Sequence, residues 1–131
     1  MSDCDVLVVD DEPVVRDAVR MVLEDAGYRV ASAPDAESGL AHAGLAGCRL
    51  LLCDLMLPGQ SGIELLRAVH AARPELPIVM ITGYATDAIA DRALEAGAAA
   101  FLAKPFDDSE LLTLVRRVLA PTSAAGEDEK P

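Results

Sequence analysis

The sequence predicts a three-layer α/β fold, doubly wound around a five-stranded parallel sheet, and three observations carry that expectation. Apolar runs of about five residues alternate with helical patterns of about ten to fifteen, the signature of repeated strand–helix units. The runs that read as strands 2 to 4 hold hardly any interior polar residue, as strands covered on both faces do. At 131 residues and 52% apolar content, the chain fits one domain with a proper core.

Asp5 to Val9 reads as the first strand. Pro13 suits the first position of a helix, where a missing N–H costs nothing. Val15, Ala18, Val19, Val22, Leu23 and Ala26 then mark one helical face. Gly27 suits the left-handed residue that closes such a helix. Arg29 to Ser32 reads as the second strand. A second helix is expected from Pro34 to about Ala43, with Ala36, Gly39, Leu40 and Ala43 inward, weakened by Gly39 and Gly44. The third strand, Arg49 to Cys53, ends at Asp54, and the loop Leu57 to Gly62 follows. A third helix carries Leu65, Leu66, Val69 and Ala72 and stops before Pro74. Pro77 to Ile81 forms a fourth strand ending at Thr82, and Gly83-Tyr84-Ala85 leads into a fourth helix with Ala90, Ala93 and Leu94 inward. Small side chains bury little area, so this helix is expected to be loosely held. Ala99 to Ala103 is a short fifth strand before Lys104 and Pro105. Asp107 and Glu110 resemble a capping box, with Asp in place of Ser or Thr. They open a fifth helix whose buried stripe is Leu111, Leu114, Val115 and Val118. Residues 1–120 are expected to form the domain, and the polar segment 121–131 a disordered tail or the start of a linker.

A formal charge of −11 argues against direct nucleic-acid binding by this chain, since phosphate contacts need clustered Lys and Arg. No apolar run approaches the roughly 18 to 20 residues that span a bilayer. The opening Met1-Ser2-Asp3-Cys4-Asp5 has no apolar segment of a secretory signal. Three cysteines without a C-x-x-C pair read as free thiols, with Cys48 and Cys53 in or near the core. The expected address is cytoplasmic. His42 and His70 read as ordinary surface residues.

Function is written at the strand ends. Asp10 and Asp11 close the first strand, Asp54 the third and Thr82 the fourth, while Lys104 follows the fifth. In a parallel sheet these ends share one edge, where ligands bind. If the strand order is 2-1-3-4-5, the first and third strands are neighbours and their carboxylates meet in one crevice. They would repel one another unless a cation and an ammonium group neutralise them. That set suits a divalent metal and a phosphoryl group. Taken singly, Asp10 and Asp11 could instead cap the first helix, and Asp54 could serve the turn before Pro58-Gly59.

The chain resembles the response-regulator receiver domains of bacterial two-component signalling over residues 5 to 120. The resemblance rests on Val8-Val9-Asp10-Asp11-Glu12, Asp54-Leu55-Met56-Leu57-Pro58-Gly59, Ile81-Thr82-Gly83, Ala96-Gly97-Ala98 and Lys104-Pro105-Phe106, in that order. It implies a flavodoxin-like fold and a phosphorylation-activated switch, with Asp54 accepting a phosphoryl group from a sensor histidine kinase or phosphotransfer protein. It further implies Mg2+ bound directly by Asp11, Asp54 and the Met56 carbonyl, and through a water by Asp10. Thr82 and Lys104 would meet the phosphoryl oxygens, helped by the backbone N–H groups of Met56 and Gly83. The two aspartates, Asp54 and Lys104 should converge with Thr82 on the rim, and the Lys104–Pro105 bond should be cis. Phe101 falls at an aromatic switch position, and output passes through the face of the fourth helix, fifth strand and fifth helix. An effector domain or separate target would read that face, and homodimerisation is open.

Such a domain is not an enzyme beyond its own phosphoryl transfer and a slow autodephosphorylation. Slow decay is expected because Met56 and Tyr84, which flank the approach of water, carry no carboxylate or carboxamide to orient it. A phosphohydrolase of the haloacid dehalogenase type needs a second Asp two residues after its nucleophile, where this chain has Met56. A flavodoxin-like cofactor carrier needs a hydroxyl- and Gly-rich loop after the first strand, and a P-loop enzyme needs G-x-x-x-x-G-K-[ST]; neither is present. The remaining alternative is a receiver-like scaffold or dimerisation module that works without phosphorylation.

Overall fold

The computed structural model describes residues 5–35, 37–38, 48–56, 61–83 and 86–119. Its elements are β1 (Val6–Val9), α1 (Pro13–Asp25), β2 (Val30–Ala33), β3 (Leu50–Asp54), α2 (Gly62–Ala72), β4 (Ile78–Thr82), α3 (Asp87–Glu95), β5 (Ala100–Ala103) and α4 (Asp108–Val118). All strand pairs are parallel, in the order β2-β1-β3-β4-β5. The fold is the expected one. Most of the predicted second helix, and the 121–131 segment, lie outside the described residues, so the fourth and fifth predicted helices are α3 and α4.

Strand alternation divides the core in two. Leu7, Val9, Leu51, Cys53, Ile78 and Met80 face Leu65, Leu66 and Val69 of α2 and Ala93 of α3. Val6, Val8, Leu50, Leu52, Val79 and Ile81 face Val19 and Leu23 of α1 and Leu111, Leu114 and Val115 of α4. Helices on both faces bury the central strands completely, which is why β1, β3 and β4 read as unbroken apolar runs. β2 departs from that expectation: only Ala33 is buried, because an edge strand has a neighbour on one side alone.

Local signals set the helix ends. α1 begins at Pro13, and Gly27 takes φ +100° just past its end, its N–H donating to the Glu24 carbonyl at 3.0 Å. At α4 the capping box forms in both directions, Glu110 N–H to Asp107 Oδ1 at 2.8 Å and Asp107 N–H to Glu110 Oε1 at 2.9 Å. Four expectations of inward faces are corrected: Ala18, Ala26 and Ala72 are exposed, and Leu94 is 49% exposed. Ala93 and the half-buried Ile89, four residues apart, point inward, which turns Leu94 about 100° away. His70 is not an ordinary surface histidine either. Its ring lies against Gly97, where an added Cβ would come within 2.8 Å, and its buried Nδ1 has no hydrogen-bond partner among the described residues. Cys48 and Cys53 are buried, as expected.

At the opposite end of the sheet Asp5 ties three strands together. Its carboxylate accepts the Arg29 N–H at 2.8 Å and faces the Arg49 guanidinium at 3.4 Å, while its carbonyl accepts the Arg49 N–H at 2.9 Å.

Candidate functional site

The carboxyl edge of the sheet carries a cluster of opposite charges. Asp10, just past β1, is fully buried: its N–H donates to the Ala33 carbonyl at 3.1 Å and its carbonyl accepts Arg16 Nη1 at 2.6 Å. Its Oδ1 accepts the Glu12 N–H at 2.9 Å. Asp54, at the end of β3, is 4% exposed, with Oδ1 accepting the Met56 N–H at 3.0 Å. Lys104, just past β5, is held by its own N–H on the Thr82 carbonyl at 2.8 Å. Its Nζ lies 2.9 Å from Asp54 Oδ2, 3.0 Å from Glu12 Oε1 and 3.1 Å from Asp10 Oδ2. The Lys104–Pro105 bond is cis, as expected.

Burial pushes the Asp10 carboxyl above its ordinary range, and Asp54 adds to this; the Glu12 N–H and Lys104 offset part of it. Burial acts against the Lys104 ammonium, but Asp54, Glu12 and Asp10 outweigh it and hold the group charged. Burial, with Asp54 and Asp10 nearby, pushes the Cys53 thiol up, so this cysteine stays a protonated core residue.

Asp11, Glu12, Asp54, Met56, Thr82, Gly83 and Lys104 line one cavity of about 300 Å³. The backbone behind Asp54 needs a glycine. A Cβ on Gly62 would overlap the Asp54 carbonyl oxygen and lie 2.7 Å from Leu55 Cα, while the Gly62 N–H donates to the Leu55 carbonyl at 2.7 Å. Ser61 caps the same helix by accepting the Glu64 N–H at 3.2 Å.

Most of the residues expected here meet. Asp10, Asp54 and Lys104 are in direct contact, and Met56 and Gly83 flank them. Asp11 lines the same cavity as an exposed residue. Thr82 lines it too, but it is fully buried rather than on the rim. The cause is its place as the last residue of β4, paired with Ala103 of β5 in a covered sheet. Phe101 lies outside the cavity, half-buried on β5 against the core shared with α2 and α3. Tyr84 lies outside the described residues. Glu12 is the member that the strand-end argument overlooked: it belongs to a loop, and its only signal was the unbroken acidic run Asp10-Asp11-Glu12.

These donors suit a hard divalent cation. Among the described residues Asp10, Glu12 and Asp54 each offer an oxygen within 4.8 Å of the others. Asp10 Oδ2 is buried and ion-paired with Lys104 but receives no hydrogen bond among the described residues, so it retains an open acceptor direction. Carboxylate oxygens around a cavity with room for waters fit Mg2+, which keeps several of its own waters.

The family model described as the response regulator receiver domain matches residues 6–116. The chain belongs to this family. Receiver domains are phosphorylation-activated signalling switches of two-component systems rather than classical enzymes, and they bind Mg2+ at an acidic pocket. The chain is 39% identical over 118 residues to the C4-dicarboxylate transport transcriptional regulatory protein DctD of Pseudomonas aeruginosa, covering 87% of this chain and 25% of DctD. It is 34% identical over 126 residues to the transcriptional regulatory protein FixJ of Bradyrhizobium diazoefficiens, covering 95% of this chain and 60% of FixJ. The receiver thus spans a quarter to three-fifths of these relatives. Among solved structures, the receiver domain of NtrX from Brucella abortus superposes with a TM-score of 0.83 at 39% identity, over 88% of this chain and 98% of that one. A CheY-like receiver domain protein from Methanospirillum hungatei gives 0.82 at 36% identity, over 86% and 90%.

Proposed function

We propose that Asp54 takes a phosphoryl group from a phosphohistidine on a sensor kinase or phosphotransfer protein. The observation that carries this reading is the pairing of Asp54 Oδ2 with Lys104 Nζ at 2.9 Å inside a cavity also lined by Thr82, Met56 and Gly83. An Asp54 carboxylate oxygen attacks phosphorus as the phosphorus–nitrogen bond breaks, and the imidazole leaves with the electron pair. Such a transfer asks a protein for positioning and charge neutralisation more than for covalent help. Lys104 and the Thr82 hydroxyl meet the transferred oxygens, and the N–H groups of Met56 and Gly83 complete the anion site. Asp10, Asp11, Asp54 and the Met56 carbonyl would hold Mg2+, which when bound neutralises charge on the phosphoryl oxygens.

Phosphorylation would then act on Phe101 and on the face of α3, β5 and α4. That face is built to yield, because α3 buries only Ala93 completely. An effector domain or separate target reads it, or a second copy does. A cytoplasmic address follows from a kinase partner, and no helix among the described residues is long and apolar enough to cross a membrane. Residues 1–120 serve as the receiver and 121–131 as a tail or linker. With its charge of −11 the chain leaves nucleic acid to whatever it controls.

The decisive experiment is Asp54→Asn with acetyl phosphate and Mg2+. The variant is expected to fold and melt like the parent but to take up no phosphoryl group. Labelling at the parental rate would remove Asp54 from the reaction. A folded parent that takes no label would favour the unphosphorylated scaffold instead.

A further inference from the structure

Glu12 has no part in the phosphoryl transfer proposed above, yet it touches the lysine at its centre. Its Oε1 lies 3.0 Å from Lys104 Nζ, and its backbone N–H fixes Asp10 Oδ1 at 2.9 Å. The three carboxylates around Lys104 are unequal. Asp10 and Asp54 have side chains 0% and 6% exposed, whereas that of Glu12 is 58% exposed. An ammonium has three hydrogens, and here three carboxylates surround it. A phosphoryl group on Asp54 brings new oxygens to the same ammonium, where they compete with the carboxylates already facing it. Glu12 alone can swing into water without being desolvated.

Glu12 and Lys104 also line a second cavity, an apolar groove of about 460 Å³ formed with Val14, Val15, Ala18 and Phe106. Their ion pair is therefore a wall shared by the groove and the phosphorylation cavity.

We infer that Glu12 is a positioning residue that holds Lys104 in the resting site and competes with the incoming phosphoryl group for its ammonium. This rests on Asp54 being the acceptor. The competition has a signature that simple damage lacks. A negative charge beside the cavity favours a divalent cation and disfavours an anionic phosphodonor, so removing it moves the two in opposite directions.

The test uses the full chain as parent, Glu12→Gln and Glu12→Asp. Mg2+ binding is followed by calorimetry without phosphodonor, and phosphorylation by acetyl phosphate at saturating Mg2+. Glu12→Gln should bind Mg2+ about threefold more weakly and become phosphorylated about two- to fivefold faster. Glu12→Asp keeps the charge but falls a methylene short of Lys104, so it should retain near-parental Mg2+ affinity and still gain rate. The inference is overturned if Glu12→Gln is phosphorylated no faster than the parent, or if both variants lose affinity and rate together. A parent that takes no label, or an Asp54→Asn variant that keeps it, overturns the acceptor assignment first and this inference with it. Failure confined to the Glu12 variants leaves the acceptor standing.

Discussion

Met56 is tied to Asp54 by its backbone N–H at 3.0 Å, is 57% exposed and lines the cavity beside Asp54. Hydrolysis of an acyl phosphate needs a water in line with the phosphorus–oxygen bond, and a thioether gives that water nothing to bond to. Slow decay is the expected consequence. Met56→Asn combined with Tyr84→Glu should release the phosphoryl group about threefold faster or more, because oriented acceptors aid proton removal from water. The check is the decay of labelled protein in Mg2+ after the donor is removed. Equal decay in variant and parent would show that these side chains do not set the clock. At this scale the sequence was most readable where topology does the placing. Asp10, Asp54 and Lys104 could be found because strand ends of a parallel sheet share an edge. Glu12 escaped because a loop residue's reach depends on backbone turns that no periodicity records. The full burial of Thr82 escaped too, since a residue closing a run looks alike whether the sheet covers it or leaves it at the rim.

Strands and helix ends were more readable than helix faces. Five apolar runs gave five strands, each shifted by at most a residue, and Pro13, Gly27 and the Asp107–Glu110 pair acted where their chemistry requires. Faces fared worse, at Ala18 and Ala26 of the first helix region, at Ala72 of α2 and at Leu94 of α3, where alanines outnumber larger apolar residues and a one-residue rotation leaves the pattern almost unchanged. One element-level feature carries its own test. Burial works against the charge of Asp5, but the Arg29 N–H and the Arg49 and Arg29 guanidinium groups hold its carboxyl below the ordinary range. A depressed folded value means that the carboxylate stabilises the fold above the ordinary aspartate range. That contribution is lost as pH falls through the folded value. Asp5→Asn should therefore cost about 1–2 kcal/mol near neutral pH, the scale of charge-assisted hydrogen bonds. Its deficit should shrink as the medium is acidified below the ordinary aspartate value. Urea denaturation of both proteins across that range measures it, and a pH-independent deficit would assign the loss to packing.

For the whole molecule, fold and function pull against each other at Asp10. The carboxylate is fully buried beside Asp54, and its folded value is raised, so its charge is a cost to the fold. The cost is present above the raised value, where the folded protein must keep the group charged, and it disappears below the ordinary aspartate value, where both states are protonated. Asp10→Asn removes that charge, and Lys104 keeps Asp54 and Glu12 as partners. The variant should be more stable than the parent without metal, by about 1–2 kcal/mol near neutral pH, with the advantage fading as pH falls. Mg2+ should reverse the order. A cation that binds only the folded state raises stability with its concentration, and the parent, with its full set of carboxylates, should gain more from it than Asp10→Asn. Thermal melts of both proteins, with and without Mg2+, at neutral and mildly acid pH, would show the two curves crossing as Mg2+ is added. If Asp10→Asn melts below the parent in metal-free buffer at every pH, the buried aspartate is a net support of the fold rather than a cost borne for the switch.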